Sequence, residues 1–518
     1  MSSISAILAG IILLAPALYA QVPSSPDSSL QEILTGLEGS RLTLQAATEH
    51  ALENATSVRK AEAVYLAAEG SDRKESGLFD PQLFFNLSYQ DQSVPTVSLF
   101  AGATVLATQT TSSRSGIRMD LPTGTNLELA VNTVRLATNS TTALLNPEYD
   151  AFGSLSFRQP LLGGFMVSAR KQVRKAERNL DAAKARYDQQ VLAVSCETER
   201  VYWDLYAAER DYAVQKLTHD RAEAFLRETD VRARAGLIGP NQVASARTFL
   251  AEQKILLLDR LEQLDRQSDQ LASLIGVRPD AGQTRFIARD EPPREVAIDP
   301  ADTLVRVAQE NNLDLQAARQ DVEAARALAS AAGWEALPSI NLVGSLGGSG
   351  LAGNAQRISI FGIDTSVAAP GSSFQDALSQ VRDRLYPNWN VGVEVNIPIG
   401  FRSGLGEKER LEAEVISAEQ RYIEQARALE EQVRSTHREL SNGRSRLEAA
   451  REGVDAAQEQ VRIGLIEFSN GRSTAFELVR LGADFAVAQR RYSEALVRTA
   501  KASATLRQLT SATPAPVR

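Results

Sequence analysis

Apolar and polar residues alternate at four places in this chain, and almost everywhere else apolar residues recur at helical spacing. The clearest alternation is VGVEVNIPIG. Val391, Val393, Val395, Ile397 and Ile399 are separated by Gly392, Glu394, Asn396 and Pro398, which predicts a strand with one apolar and one polar face. PQLFFNLSYQ puts Leu83, Phe85, Leu87 and Tyr89 on one face, and PSINLVGSL does so with Ile340, Leu342 and Leu346. GSLSFRQP sets Leu155 and Phe157 against Ser154, Ser156 and Arg158. Behind the second strand of each half, Glu-, Arg- and Ala-rich sequence continues for roughly 70 residues, about 100 Å at helical rise.

The pattern occurs twice. Residues up to Pro81 align without a gap on residues up to Pro338 at an offset of 257, with Ala51/Ala308, Glu53/Glu310, Asn54/Asn311 and Ala61/Ala318 coinciding. Farther on the offset is 235, matching Arg186-Tyr187 with Arg421-Tyr422 and Gly236 with Gly471. The first half therefore carries extra residues between its strands. Each half reads as a helix of about 34 residues ending near a proline, two strands, a helix of roughly 70, a break at Gly236 or Gly471, and a helix of about 36. The two shorter helices sum to the long one, so stacked end to end they would run beside it as a double rod. The second long helix carries the seam for this. Val433, Leu440, Leu447, Val454, Val461 and Phe468 recur every seven residues, interleaved with Thr436, Gly443, Ala450, Ala457 and Gly464.

This divides the chain into residues 1–20, a processed secretory signal built on ILAGIILLAPAL; 21–41, a polar segment; 42–277 and 303–510, the two repeats; 278–302, a proline-bearing belt at mid-length; and 511–518, a tail. A net charge of −8 without a basic cluster argues against a nucleic-acid partner. The single cysteine, Cys196, excludes an internal disulfide and reads as a packed helix residue. No later stretch is apolar enough for a transmembrane helix, so entry into a membrane must be by strands. Four strands are too few to close a barrel, whose smallest members have about eight. The barrel must then be shared, and three chains would supply twelve strands.

FRQPLLGGF (Phe157–Phe165), IPIGFRSG (Ile397–Gly404), RARAGLIGPNQV (Arg232–Val243) and NGRSTAFELV (Asn470–Val479) resemble the TolC-like outer-membrane efflux protein family, as does the duplicated order of elements. The resemblance covers nearly the whole mature length. It implies an α+β membrane protein: a homotrimer with a shared twelve-stranded outer-membrane barrel, four strands per chain, continued by a periplasmic α-helical coiled-coil tunnel. Implied partners are a periplasmic adaptor, an inner-membrane transporter and outer-membrane lipid, with no cofactor. Pro160, Gly163, Gly164, Pro398 and Gly400 would form the strand-to-helix turns. Gly236, Leu237, Ile238, Gly471 and Arg472 would form the adaptor-facing tips. Family members often ring the tunnel entrance with two acidic residues; Glu477 and Arg480 stand there, so one carboxylate is replaced by a guanidinium. The other reading of that pair is an i,i+3 surface contact. Where the family holds its gate with a tyrosine and an arginine, Phe468 and Ser473 stand, so the closed state must be held by something other than a phenol hydroxyl.

Three stretches remain. Between Gln90 and Phe152, SGIRMDLPTGTNLELAVNTV holds two alternating runs about LPTGT, a hairpin that either adds strand to the barrel or forms an outer flap. Gly348, Gly350 and Gly353 match G-x-G-x-x-G, but no helix follows them, and the stretch reads as a mobile outer loop. His50, His219 and His437 fall on separate helices with no carboxylate or cysteine ligand pattern. No catalytic constellation is visible, which leaves a soluble periplasmic coiled-coil scaffold as the alternative to a passive duct.

Overall fold

A computed structural model describes residues 26–97, 101–293, 297–360, 363–470 and 472–511. The expected signal at 1–20, Gly471 and all but the first residue of the tail lie outside the described residues. In chain order the elements are α1 (Pro26–Thr35), β1 (Ser40–Leu42), α2 (Leu44–Asn54), α3 (Thr56–Ser76), β2 (Gln82–Pro95), β3 (Val105–Asp120), β4 (Asn126–Thr138), β5 (Leu145–Leu162), α4 (Lys171–Arg234) and α5 (Pro240–Ile275). Then follow β6 (Phe286–Ala288), α6 (Ala301–Asn311), α7 (Leu313–Glu335), β7 (Ser339–Ala355), β8 (Ile358–Ile360), β9 (Ile363–Thr365), α8 (Phe374–Arg382), β10 (Tyr386–Asn396), α9 (Arg402–Ser469) and α10 (Ala475–Thr510).

The long helices span 64 and 68 residues, and the helices after the breaks span 36 each. The helix expected at the head of each repeat is in fact two, α2–α3 and α6–α7, parted at Ala55 and Asn312. These two positions are 257 apart, so the break belongs to the duplicated unit. Asn312 accepts from the Leu315 N–H at 3.0 Å as an N-cap, whereas Ala55 offers no capping side chain and only turns the chain.

The stacking is as the lengths require. α3 and α5 both lie along α4, and α7 and α10 lie between α4 and α9, giving four helix columns side by side. At each stacking joint an asparagine closes a helix end: Asn54 donates to the Ile275 carbonyl at 3.1 Å, and Asn312 to that of Leu509 at 3.2 Å. Gly276 ends α5 in the left-handed region at φ +69°, where a Cβ would lie 2.7 Å from Asn54. The heptad seam faces α10. Val433 and Leu440 are fully buried, and the small positions Gly443 and Gly464 receive Thr499 and Leu481.

Halfway along α4 the chain gathers its largest core, around Tyr202, Leu205, Leu264, Leu271 and Ile275. The segment expected as a polar leader contributes α1, which packs Leu30 on Ala213 and Val214, and β1, which pairs in parallel with β6. The Tyr202 hydroxyl donates to the Leu42 carbonyl at 2.9 Å and accepts the Arg289 and Asp290 N–H groups. Beside it Glu209, 4% exposed, accepts the Ala288 N–H at 2.6 Å.

Six strands form one antiparallel sheet in the order β10-β7-β5-β4-β3-β2. All four alternating stretches are in it. The expected count of four strands per chain is corrected to six, because the segment between Gln90 and Phe152 adds β3 and β4 between β2 and β5. Their LPTGT turn lies at the helix-bearing end, not at the outer one. Gly124 (φ +86°) makes the turn, and Met166 N–H donates to the Thr123 carbonyl at 3.3 Å. The G-x-G-x-x-G stretch is corrected too: it is strand β7, not loop. α8, held by a Ser373–Asp376 capping box, rests on that strand, and a Cβ on Gly350 would come within 2.0 Å of the Ala377 carbonyl oxygen.

Burial pushes the Glu209 carboxyl up to about 8, against the lowering effect of the Ala288 N–H and Arg210. An unfolded carboxyl titrates near 4.5, so this group's contribution is complete below that value and is lost as pH rises toward about 8. Glu209→Gln keeps an acceptor for Ala288 and should flatten the decline in thermal stability between about pH 5 and pH 8. A decline as steep as the parent's in a melting series would assign the titration to another group.

Candidate functional site

Two regions carry the chemistry, at opposite ends of helices about 100 Å long. The first is the sheet. Alternation puts Leu83, Phe85, Leu87 and Tyr89 on the same side as Trp389, Val391, Val393 and Val395, and all eight are exposed. The opposite face carries ion pairs between strands: Arg114 of β3 to Glu128 of the neighbouring β4 at 2.5 Å, and Arg158 of β5 to Glu394 of β10, which meet across β7. Arg114 and Arg118 also stack over Phe84 at 5.7 and 6.0 Å from its centroid. An apolar outer face with a charged inner one suits a wall between lipid and water.

At the base of this sheet the chain turns into the long helices. Pro160 lies within β5 opposite Asn341, and Gly163 (φ +80°) passes so close to Pro338 and Ser339 that a Cβ would sit 3.0 Å from the Ser339 Cα. Gly164 presents its carbonyl to the Gly124 turn. Pro398 accepts the Phe401 N–H at 3.4 Å, and Gly400 and Phe401 both take positive φ, +90° and +53°.

The second region is the far end. α4 closes on Gly236 (φ +74°), with the Leu237 N–H returning to the Arg232 carbonyl at 3.0 Å; Ile238 and Gly239 lead to Pro240 at the head of α5. α9 closes with the Asn470 N–H on the Ile466 carbonyl and that of Arg472 on Glu467. Thr474 then caps α10, accepting the Glu477 N–H at 3.2 Å. Glu477 and Arg480 are exposed and make no ion pair with each other, so the i,i+3 contact is not formed. Ser473 is half-buried and its Oγ has no partner in the single chain.

Phe468 has a partner that the sequence did not disclose. The Arg232 guanidinium lies over its ring at 5.4 Å and joins the end of α4 to the end of α9, while Arg232 also pairs with Glu228 at 2.5 Å. Nearby, Phe225 meets Phe476 at 6.4 Å, leaving Phe476 61% exposed and Leu237 74% exposed. A further cluster corrects the reading of the histidines. His219 lies near Asp220 and Glu223, their ligand-type atoms within 4.8 Å, although Lys216 already holds Asp220 at 2.7 Å. Among the described residues no helix is long and apolar enough to cross a membrane.

The sequence model of the family described as outer membrane efflux protein matches residues 47–277 and 304–512, most of the chain and in two blocks. The chain belongs to that family. A comparison with curated proteins gives no match. Solved structures give the same fold. A membrane protein from Pseudomonas aeruginosa is 16% identical over 93% of both chains with a TM-score of 0.64. The outer membrane protein VceC from Vibrio cholerae is 16% identical over 90% of this chain and 96% of its own, with a TM-score of 0.61. The Neisseria gonorrhoeae MtrE outer membrane channel is 16% identical over 91% and 90%, with a TM-score of 0.60. This efflux-family protein is an outer-membrane protein with a largely periplasmic body, and a channel of the TolC type rather than an enzyme.

The Arg232–Phe468 contact has a direct test in hydrogen exchange. Phe468→Leu removes the ring and should speed exchange at the ends of α4 and α9 by about three- to tenfold, matching a contact of about 1 kcal/mol. Phe468→Tyr, which keeps the ring face, should leave exchange unchanged. Equal protection in the leucine variant would mean that the guanidinium does not tie these ends together.

Proposed function

We propose that three copies of this chain close one barrel through their β2 and β10 edges and form the exit duct of a tripartite efflux or secretion system. The carrying observation is the sheet: two unpaired edges, an apolar face open except where α8 rests on the outer parts of β5 and β7, and one charged face in the same element. Each chain brings four helix columns, so a trimer makes a ring of twelve on which the barrel stands. Passage is passive, with energy supplied by an inner-membrane transporter and contact made through a periplasmic adaptor.

The tips are the adaptor-facing and gating end in this reading. Exposed Leu237 and Phe476 offer the adaptor an apolar contact beside Arg472. Glu477 and Arg480 ring the entrance as three carboxylates and three guanidiniums, and the Arg232–Phe468 stack holds it narrow. The purified protein in a planar bilayer should show stepwise conductance. Glu477→Gln should shift the reversal potential toward anions, and Arg232→Gln should raise the conductance several-fold. Reversal potentials that stay fixed in the first variant would put Glu477 on the outer wall. A protein that never conducts would overturn the duct.

A further inference from the structure

β3 and β4 are not an appendage to an edge. They separate β2 from β5, with ladders that run from Gln82 to Pro95 on one side and from Asn126 to Leu136 on the other. Their own ladder runs from Thr108 to Asp120. Each is longer than the roughly 9–11 residues that a tilted strand needs to cross a bilayer.

Two adjacent rows of the sheet decide whether these strands belong to the wall. One row passes through Leu83, Ile117, Leu129, Leu155, Leu346 and Trp389, all apolar and all exposed. The row beside it, on the other face, passes through Gln82, Arg118, Glu128, Ser156, Ser345 and Asn390, all polar. Neither row is interrupted at β3 or β4. Farther out on the same side as the apolar row, β3 turns polar at Ser115, Ser113, Thr111 and Gln109, and there the Ser113 and Thr133 hydroxyls bond each other at 2.8 Å. A flap folded away from the wall would have no reason to keep its apolar and polar faces in register with four other strands.

On the trimeric reading above, we infer that this hairpin is barrel wall, so that the assembled channel closes with eighteen strands and crosses the membrane at the full width of its helical tunnel. The edges permit it: β2 runs away from the helices and β10 runs back, so an even six per chain keeps every junction antiparallel. The stagger sets the width. The row through Leu83 lies one residue from the helix-bearing end of β2 but reaches β10 at Trp389, seven residues from its end. Six residues of stagger over five strand spacings is roughly 20 Å against 24 Å, a tilt of about 40°. At that tilt eighteen strands give a backbone radius of roughly 18 Å, where twelve would give roughly 12 Å. Twelve helix columns packed about 8–10 Å apart make a ring of roughly 15–19 Å. The wider barrel therefore continues the tunnel without a step, and selection by size falls to the helical tips alone.

The test is cryo-electron microscopy of the mature full chain in lipid nanodiscs, counting strands and measuring the barrel. Eighteen strands with a cross-section about twice that of a twelve-stranded barrel are the expected result. A trimer with a twelve-stranded barrel and residues 105–138 outside the wall would overturn this inference and leave the duct standing. Any other copy number, or no closed barrel, would overturn the trimeric reading and this inference with it.

Discussion

Hydrocarbon offers a peptide group no hydrogen-bond partner, and the six-stranded sheet ends in two strands, β2 and β10, each unpaired along one side. The rest of the molecule is arranged around that constraint. A sheet with an exposed row of Leu83, Ile117, Leu129, Leu155, Leu346 and Trp389 is unsuited to water, and open edges are unsuited to lipid. The closure with other copies proposed above would satisfy both, since it would pair the edges and turn the apolar row toward the bilayer.

The helical body meets a different demand, to hold about 100 Å of protein straight with little core per turn. It does so by stacking. Four columns share seams of large and small residues, and the joints between stacked helices are closed by Asn54 and Asn312. The one broad core sits halfway along, where Tyr202 and Glu209 hold the belt segment through its backbone. Buried polar groups here are satisfied by main-chain partners, which fixes where the belt crosses the rod. The tips carry no such core. They are held by capped turns and by Arg232 over Phe468, an arrangement of low local stability.

Much of this was legible in the residues. Period-two alternation marked the four original strands because each has one face in a single environment, and the heptad marked the seam of α9 for the same reason. The duplication supplied the order of elements. What was missed has identifiable causes. The break at Ala55 has no capping side chain to announce it, although Asn312 at the equivalent position does. The Ser373–Asp376 capping box of α8 was present in the sequence, but the glycines before it suggested loop; they are there because Ala377 comes within van der Waals reach of Gly350. The hairpin about LPTGT was read as a hairpin, yet its place between β2 and β5 depends on long-range pairing that no local pattern encodes. Arg232 and Phe468 lie too far apart in sequence for any motif to connect them.

Closure between copies is the central claim, and the mass of the detergent-extracted mature protein tests it most directly. Light scattering corrected for bound detergent should give three chains, stable only while detergent is present. A monomer that stays soluble in plain buffer would contradict the account, because it would require the exposed row and both open edges to be at ease in water.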